Sequence, residues 1–446
     1  MKRIIEPITV WDGAQGVYED AGLLIDGDRI ARILSPADRA SFDTAGIEQH
    51  IDGKGKLAIP GLINAHTHVY SSLARGMTLA GFSPTTFSQI LEQLWWRLDK
   101  ALDPEAIRWS ALVGAMEAAR CGVTTLIDHH ASPNAISGSL DTLHEVVTRG
   151  VGLRGVFAYE LSDRDGSAAT RRAIEENLRF LEKAAASGPM VGAQFGLHAS
   201  FTLSDETLRQ VAERLPEGAG VHIHVAEGPE DEELCVRRHG QRIVHRLDRF
   251  ELLRKSTILA HCLHLDEAEK NLVAEREVAV VHNPRSNMNN AVGRIDLDGI
   301  LSREVVLGLG TDGLGCNMLA EALTASILQK SGRADPLAGS FDQLDALLLR
   351  NNPTIVERLL DVRVGRIEEG SPADIALLDY VPPTPLGAQT IWGHLLFGLA
   401  VHTLRVSDLL VAGRLILHDG AFVEIDEAAA YAGARESANR LWARIE

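Results

Sequence analysis

Two histidines separated by one residue follow an apolar run early in the chain. His66 and His68 come shortly after the run 57–63. In an extended strand, residues i and i+2 project to the same side, so both imidazoles can face one point. That arrangement is what two ligands of a single metal ion require. Because an isolated His-x-His is common, two ordinary strand histidines are the alternative against which the rest of the chain is judged.

Later apolar runs end in histidines or acidic residues as well. These are His198 after 191–197, His224 and Glu227 at the end of 220–225, His261 after 257–260, and Asp312 after 305–310. Histidines that served only the core would scatter between the middles and the ends of strands. Their shared position at strand ends indicates a common site.

The residue types at these positions suit one divalent metal ion. The predicted ligands are His66, His68, His224 and Asp312. Three imidazoles and a carboxylate can bind Zn²⁺ and leave a position for water. Zinc lowers the pKa of such a water to about 7, which gives hydroxide at neutral pH. We predict Zn²⁺ as the cofactor, with Fe²⁺ as the alternative.

Catalytic roles are predicted for Glu227, His261 and Asp312. Glu227 lies three residues beyond His224, close to the predicted metal but free to carry a proton. His261 can position the water or stabilise developing charge, and Asp312 can accept a proton. The alternative for Glu227 is a solvated acid, since acidic residues also occupy 230–233.

Candidates for substrate contacts carry weaker signals. They are His198, Arg75, His129, His130 and Asn283. Arg75 could equally form a structural ion pair, and the two adjacent histidines could cap a loop. Asn283, like Ser286 and Asn287 after it, could bond a substrate, but the same residue types are common in turns.

Two further sets of residues are interpreted as structural. Trp95 and Trp96 are favoured as helix-packing aromatics over a stacking platform. His222 shares the inward side of its strand with His224, and we predict a structural role deeper in the barrel.

Between these positions the chain alternates strand and helix signals. Residues 104–120, for example, follow an Asp-Pro start signal and end before Gly122. Eight apolar strands separated by helices argue for an α/β fold, a (β/α)8 TIM barrel over 58–362 with catalytic groups at the C-terminal strand ends. A doubly wound open sheet is the alternative, but it usually carries a Gly-rich turn after its first strand.

The two ends of the chain show strand signals without the intervening helices. Asp-Gly turns divide β-favouring runs in 1–57, and hairpin signals return in 363–426. We predict that these flanks join as a small composite β-sandwich domain beside the barrel. Residues 427–446 are predicted to form a C-terminal helix.

Composition limits the partners of the 446-residue chain. Its 44 Lys and Arg against 61 Asp and Glu give a net charge of −17, which disfavours nucleic acid and anionic membranes. The four cysteines lie far apart, which argues against a disulfide framework and favours a reducing cytoplasm. No signal-peptide core and no long apolar span are evident. We expect a cytoplasmic homo-oligomer that acts on a small molecule.

Several motifs resemble those of the amidohydrolase superfamily, in its cytosine deaminase-like branch of purine, pterin and triazine aminohydrolases. They are 60–68, His224-Val225-Ala226-Glu227, Ala260-His261-Cys262, Gly310-Thr311-Asp312-Gly313 and 370–374. Residues 94–99, 128–134 and 282–287 resemble, more narrowly, aminohydrolases of the SsnA type. The resemblance covers nearly the whole chain and implies the barrel, the metal ligands and the proton-carrying residues named above. It also implies a substrate-binding histidine after strand four, which His198 matches.

The leading expectation for function is hydrolytic deamination of a nitrogen heterocycle, such as a purine, pterin, pyrimidine or triazine, by a metal-activated hydroxide that releases ammonia. The enzyme class is a hydrolase of non-peptide carbon–nitrogen bonds in cyclic amidines. Cyclic-amide hydrolysis or dehalogenation on the same scaffold is the alternative. Binuclear amide hydrolases usually need a lysine at the end of strand four, and 191–202 contains none. A non-enzymatic metal-binding scaffold is disfavoured because both Glu227 and His261 are present.

Overall fold

The computed structural model describes residues 1–445. Its strands form a central parallel group, and the strands that precede and follow this group in the chain lie beside it. In chain order they are β1 (Lys2–Trp11), β2 (Val17–Asp26), β3 (Arg29–Leu34), β4 (Gln49–Asp52), β5 (Lys56–Pro60), β6 (Leu62–Thr67), β7 (Val123–His130), β8 (Arg154–Tyr159), β9 (Val191–Ala193), β10 (Phe195–Ala199), β11 (Val221–Val225), β12 (Ile258–His261), β13 (Ala279–His282), β14 (Leu307–Leu309), β15 (Ile375–Asp379), β16 (Val406–Val411), β17 (Arg414–His418) and β18 (Ala421–Phe422).

Helices separate most of the central strands. They are α1 (Pro36–Ser41), α2 (Phe87–Ile90), α3 (Trp96–Ala101), α4 (Pro104–Arg120), α5 (Ser139–Leu143), α6 (Ser167–Ala185), α7 (Asp205–Arg214), α8 (Pro229–His239), α9 (Ile243–Arg249), α10 (Glu267–Glu275), α11 (Pro284–Asn289), α12 (Leu297–Leu301), α13 (Met318–Arg333), α14 (Phe341–Asp345), α15 (Asn352–Leu360), α16 (Ile391–Gly393) and α17 (Glu427–Trp442). Short 3₁₀ turns cover Val69–Ala74 and Ser200–Thr202, and π-helical turns cover Leu91–Trp95, His144–Val151, Ala346–Asn351 and His394–Ala400.

The central strands run parallel in two ladders, β6 to β9 and β10 to β14. A parallel bridge between Thr67 and Asp312 joins the first strand to the loop after the last, and a bridge between Leu161 and Leu197 joins the two ladders in the middle. The fourth strand position is split into β9 and β10. The predicted (β/α)8 fold class is confirmed, and all its strands point their carboxyl ends to one side.

The flanking strands form one sheet outside this ring. Its order is β18-β17-β16-β15-β5-β1-β2-β3, with β4 pairing with β1. The antiparallel pairing of β15 with β5 joins the C-terminal flank to the N-terminal one. An ion pair between Arg154 on β8 and Asp374 just before β15, with Arg154 Nε 2.8 Å from Asp374 Oδ2, connects this sheet to the barrel.

Helix α4 shows how local signals fix an element. Asp103 accepts a hydrogen bond from the backbone N–H of Ala106 at 2.8 Å, and Pro104 occupies the first helical position. The chain leaves the helix through Gly122, whose φ of +76° lies in the left-handed region that glycine adopts readily. The C-terminal helix α17 packs on α4, and the last residue of the segment predicted as helix, 446, lies outside the described residues.

The barrel interior below the site is filled by small and branched apolar side chains. This layer includes Ile63, Ala65, Ile127, Val156, Ile258, Ala279, Val281 and Ile355. Such packing makes the lower barrel a solid core. The polar residues are therefore concentrated at the carboxyl ends of the strands.

Candidate metal centre and active site

Four strands bring histidines and an aspartate together at the carboxyl end of the barrel. His66 lies at the end of β6 with His68 just beyond it, His224 lies in β11, His261 ends β12, and Asp312 follows β14. All four histidines are buried. The predicted strand-end residues thus meet around one point.

The nitrogen and oxygen atoms that face this point lie at the spacing of metal ligands. His68 Nε2 lies 3.2 Å from His224 Nε2 and 3.0 Å from Asp312 Oδ1. His66 Nε2 lies 3.6 Å from the same carboxylate oxygen. Ligands about 2.1 Å from a tetrahedral zinc ion are about 3.4 Å from one another. The donor set therefore fits a single divalent ion in both chemistry and spacing.

The outer nitrogens of two of these rings are fixed by backbone carbonyls. His68 Nδ1 donates to the carbonyl oxygen of His129 at 2.5 Å, and His224 Nδ1 donates to that of His198 at 2.9 Å. A neutral ring that donates through Nδ1 carries its lone pair on Nε2. Both Nε2 atoms can therefore bind a metal ion. Histidines that bind metals commonly donate their other ring N–H to such a partner, which fixes the tautomer.

The third ring, His66, is oriented by another histidine. His66 Nδ1 lies 2.8 Å from His222 Nε2, and His66 Nε2 is buried without a hydrogen-bond partner. A buried nitrogen without a partner is unfavourable unless a ligand completes it. The structural role of His222 stays a prediction, and its hydrogen-bond partner is the candidate ligand His66.

The site stabilises positive charge where the four atoms meet. Burial opposes ionisation of Asp312, but hydrogen bonds from His66 and His68 lower the pKa of its carboxyl well below the usual range. Burial likewise opposes protonation of His68, yet the bond to Asp312 raises the pKa of His68 to about 9. Burial keeps the pKa of His224 well below its usual value. A cation at this point is therefore favoured by its surroundings.

Glu227 lies beside this cluster and is not part of the converging set. Its Oε2 lies 3.5 Å from His261 Nε2, and the residue is buried. Burial and the nearby charge of Asp312 raise the pKa of Glu227 well above the usual range for a glutamate. Burial also lowers the pKa of His261, to about 3. A carboxyl that can hold a proton next to a neutral imidazole suits proton transfer.

Helix α11 and the residue after it support these groups, a role that the sequence analysis missed. Ser286 Oγ donates to Asp312 Oδ2, Asn287 Nδ2 lies 2.8 Å from His261 Nδ1, and Asn290 Nδ2 donates to Glu227 Oε1 at 3.2 Å. The motif 282–287 was noted, but its polar residues were interpreted as substrate contacts. Their spacing along one helical turn was the available signal that they could serve one site together.

The backbone at these strand ends adopts an uncommon conformation. His261 has φ of +75° and Asp312 has φ of +53°, in the region that L-residues rarely occupy. Gly310, which follows β14, allows a close approach to β6, since a Cβ at this position would lie 2.7 Å from the His66 carbonyl oxygen. Such backbone strain is characteristic of functional sites.

A pocket opens onto the cluster. It is lined by His68, His198, His224, Glu227 and Asp312, by Tyr70, Phe87, Leu91, Trp95, Trp96 and Phe201, by Asp99, Glu160 and Asp231, and by Ala199, Ser286, Asn289, Asn290, Gly313 and Leu314. His198, the predicted substrate-binding histidine, is thus in place. Trp95 and Trp96, interpreted as packing residues, also line the pocket.

The remaining predicted substrate contacts lie away from this lining. Arg75 makes a two-pronged ion pair with Glu117, with nitrogen–oxygen distances of 2.6 and 2.7 Å, at the rim of a second cavity. His130 is buried and bonds Ser132 Oγ at 3.0 Å. Asn283 is the N-cap residue of α11 and is fully buried beneath it.

His129 lies under the metal cluster. Its ring stacks on that of His222 at 4.6 Å, and neither ring nitrogen has a hydrogen-bond partner. A nitrogen of His129 lies within 4.8 Å of ligand atoms of His66, His68 and His224. His129 therefore lies among the candidate metal ligands and is not one of the residues that line the pocket.

Among the described residues, none of the helices combines the length and apolar character that crossing a bilayer requires.

Comparison with known proteins gives full-length matches. The chain is 30% identical over 431 residues to a 5'-deoxyadenosine deaminase from Methanopyrus kandleri, covering 95% of this chain and 96% of that protein. It is 31% identical over 443 residues to a 5-methylthioadenosine/S-adenosylhomocysteine deaminase from Pelotomaculum thermopropionicum, with 97% of both chains covered. A crystal structure of an adenosine deaminase from Xanthomonas campestris with bound zinc superimposes with a TM-score of 0.83 at 25% identity, covering 98% of each chain.

The model of the amidohydrolase family matches residues 57–415, which is most of the chain. This range includes every strand of the barrel and every residue of the metal cluster. The resemblance drawn from the strand-end motifs is thereby confirmed: this protein belongs to the amidohydrolase family.

Proposed function

We propose that this protein is a metal-dependent hydrolytic deaminase whose substrate is an aminopurine of the adenosine type. The observation that carries the proposal is the convergence of three imidazoles and Asp312 beside a protonatable Glu227. Full-length relatives named as deaminases of 5'-deoxyadenosine and related nucleosides support the substrate class. Hydrolysis of the bond between a ring carbon and its amino group is the activity named for these relatives, and the residues of this site suit it.

The proposed metal ligands are His66, His68, His224 and Asp312. Zinc is the proposed ion, supported by the zinc-bound structural neighbour and by an imidazole and carboxylate donor set. When bound, a divalent ion would supply Lewis-acid activation of a water molecule as nucleophile.

The side chains of this protein would then carry the protons. The ring carbon gains the water oxygen, its bond to the amine breaks, and the amine leaves as ammonia. Glu227, held by Asn290, gives its proton to the ring nitrogen beside the attacked carbon. Asp312 accepts one proton from the attacking water, and that proton reaches the leaving amine. The second proton of the water leaves the new hydroxyl as the carbonyl forms and returns to Glu227, which restores its protonated state.

His261 and His198 would serve this reaction from either side. His261 receives a hydrogen bond from Asn287 at Nδ1, so its Nε2–H is directed toward Glu227 and can stabilise charge developing on oxygen. His198 is held by Thr202 Oγ1, 2.9 Å from its Nδ1, and presents Nε2 to the pocket. It would orient the heterocycle by a hydrogen bond.

Ammonia release tests the proposal directly. Zinc-loaded protein is incubated with adenosine, 5'-deoxyadenosine, guanine, a pterin, cytosine and an aminotriazine, and ammonia is measured together with the ultraviolet spectrum of the product. We expect turnover of the adenosine-type compounds with one ammonia per product. Tight metal binding without ammonia from any of the six would favour a non-enzymatic scaffold, and chloride release from a chlorotriazine would favour dehalogenation.

A further inference from the structure

A second polar cluster lines the substrate pocket, separate from the predicted metal ligands. It consists of Asp99 on α3 and Glu160 just after β8, with Arg164 behind them. Arg164 Nη2 lies 3.6 Å from Asp99 Oδ2 and 3.7 Å from Glu160 Oε1. Asp99 is 2% exposed and Glu160 is 5% exposed. We call these three residues the acidic wall.

The two carboxyl groups face the pocket, and the cation does not. Asp99 and Glu160 line the pocket, whereas Arg164 lines the neighbouring cavity with Asp165. The Arg164 guanidinium stacks over the Trp96 ring, 4.5 Å from its centroid, which fixes it behind the wall. A group entering the pocket therefore meets oxygen atoms, and Arg164 is screened from it.

The wall is incompletely hydrogen-bonded. Asp99 Oδ1 is buried without a hydrogen-bond partner, although the Tyr70 hydroxyl interacts with the same carboxyl and offsets part of the rise in pKa that burial causes. The indole N–H of Trp96, at the same side of the pocket, is a donor without a partner and could bond a neutral acceptor of the substrate. Leaving a buried acceptor unpaired is unfavourable. A substrate that brings an N–H or O–H group to Asp99 would remove that penalty.

The residue types around the pocket favour the same kind of substrate. Within the described chain, the residues that line it include the acids Asp99, Glu160, Glu227, Asp231 and Asp312 and neither lysine nor arginine. An anionic group placed here would lose its water without gaining a cation. A desolvated charge without a partner is strongly disfavoured.

We propose that the acidic wall selects substrates by charge: it binds N–H or O–H donors of a neutral or cationic nucleoside through Asp99 and Glu160, and it excludes substrates that carry a carboxylate or phosphate at that end. This inference deepens the proposed deaminase function and rests on it. Among the compounds named for the relatives, it separates 5'-deoxyadenosine and 5-methylthioadenosine, which are neutral, from S-adenosylhomocysteine, which carries a carboxylate.

Burial also shapes the wall's own charge. Burial raises the pKa of Asp99 to about 6, and burial together with Asp99 raises the pKa of Glu160 to about 8. At neutral pH the Asp99 carboxylate is then the acceptor that faces the pocket, with Arg164 behind it, and a protonated Glu160 still accepts through its carbonyl oxygen. Arg164 thus holds the carboxylate in place without offering an anion a partner.

Matched substrate pairs test the proposal. Adenosine is compared with adenosine 5'-monophosphate, and 5'-methylthioadenosine with S-adenosylhomocysteine, by kcat/KM for ammonia release. We expect kcat/KM for adenosine 5'-monophosphate to be at least about 100-fold lower than for adenosine, since like-charge contacts oppose binding. Similar kcat/KM values within both pairs would overturn the acidic wall and leave the deaminase function intact.

Variants of the wall sharpen this test. Asp99→Asn and Glu160→Gln should each lower the ratio of kcat/KM for adenosine to kcat/KM for its 5'-monophosphate by about 10-fold or more. The change should come mainly from KM. The matched control is Asp165→Asn, which removes one charge nearby but faces Lys100 at 3.3 Å and the neighbouring cavity. If the control narrows the ratio as much as the wall variants do, the selection is a general charge effect and the proposal fails. Glu160→Gln, nearly isosteric, keeps the test available should Asp99→Asn not fold.

Binding measurements separate the two proposals from each other. Calorimetric dissociation constants of zinc-loaded protein for adenosine and its 5'-monophosphate report on the wall without requiring turnover. Discrimination without ammonia release would retain the wall and reject the deaminase function. Equal dissociation constants, or no binding of adenosine at all, would reject the wall whatever the activity.

Discussion

Two buried polar clusters in this protein differ in how completely they are hydrogen-bonded. At the joint between barrel and outer sheet, the Arg154 guanidinium bonds Asp374 and the Pro189 carbonyl, and Asp374 also accepts from the Ala412 backbone. At the carboxyl end of the barrel, nitrogens of His66 and His261 have no partner. Both clusters are buried to a similar degree.

The difference indicates which cluster serves structure and which serves a ligand. A buried ion pair whose donors and acceptors are all paired has nothing left to offer another molecule. Clustered nitrogens and oxygens without partners are unfavourable in the folded chain alone and become favourable when a ligand completes them. Changes at the joint should therefore alter stability, and changes at the site should alter function.

The largest effect is expected at Glu227. Glu227→Gln keeps the size and most hydrogen bonding of the side chain but cannot deliver a proton. Because acid–base catalysis typically contributes about 10²–10⁴-fold, kcat should fall by that range. Metal content and thermal midpoint should match the unmodified protein. Full metal loading with kcat within about threefold of the original, well short of the expected loss, would show that Glu227 is not the proton carrier.

At the joint the expected effect is on stability. Arg154→Met leaves Asp374 as a buried carboxylate without its cation, a change that typically destabilises by about 3–5 kcal/mol. Urea unfolding followed by circular dichroism should show this loss, with metal content of the folded fraction unchanged. The matched control is Arg108→Met, whose pair with Glu145 is long, at 3.7 Å, and exposed, so about 1 kcal/mol or less is expected. An equal loss of unfolding free energy in Arg154→Met and Arg108→Met would show that the buried joint contributes no more to stability than an exposed ion pair.

The contrast between the joint and the site also bears on which features of this protein the sequence predicts. The barrel, the family and the hydrolase class could be predicted because strand-end histidines and acids follow a regular strand–helix rhythm, and they are confirmed. The ligand roles of His66, His68, His224 and Asp312 stay predictions that the geometry supports. The narrower likeness to SsnA-type aminohydrolases is likewise a prediction.

The missed residues are those whose importance depends on burial. Asp99 and Glu160 lie 61 positions apart by their numbering and meet only because α3 and the end of β8 face one pocket. An aspartate in a helix or a glutamate after a strand is usually solvated. Strand alternation placed His222 correctly on the inward side, but the approach of β6 to β11 across the barrel could not be read from either strand.

A smaller effect on metal binding is expected at His222. His222→Asn shortens the side chain and removes the ring nitrogen that lies 2.8 Å from His66 Nδ1. Loss of such a supporting contact typically lowers metal affinity by about 10–100-fold. Competition with a chelator for zinc measures this change directly. His264→Asn is the matched control, because His264 bonds the Val292 carbonyl away from the ligands, and an equal loss there would argue against a positioning role.

The smallest expected effect is a pH dependence of stability in the outer sheet. Burial opposes ionisation of Asp408, but hydrogen bonds from Lys56 and His418 lower the pKa of its carboxyl. A lowered pKa in the folded state means that this stabilisation is complete above the unfolded value of about 3.9 and is lost as the pH falls through the folded value. Asp408→Asn lacks this ionisation. It should therefore be less stable than the unmodified protein at pH 7, by about 1 kcal/mol, and the two stabilities should converge toward pH 3.

Urea midpoints of both proteins between pH 7 and pH 3 measure this convergence. Asp419→Asn is the control, since Asp419 is 77% exposed on its side chain and lies 3.7 Å from Lys56, and its curve should follow that of the unmodified protein. If the urea midpoints of Asp408→Asn and the unmodified protein differ by the same amount at every pH, hydrogen-bond geometry, and not the charge of Asp408, stabilises these strands. In either outcome kcat at neutral pH should be unchanged, because a fully paired cluster remote from the pocket affects the fold and leaves the chemistry alone.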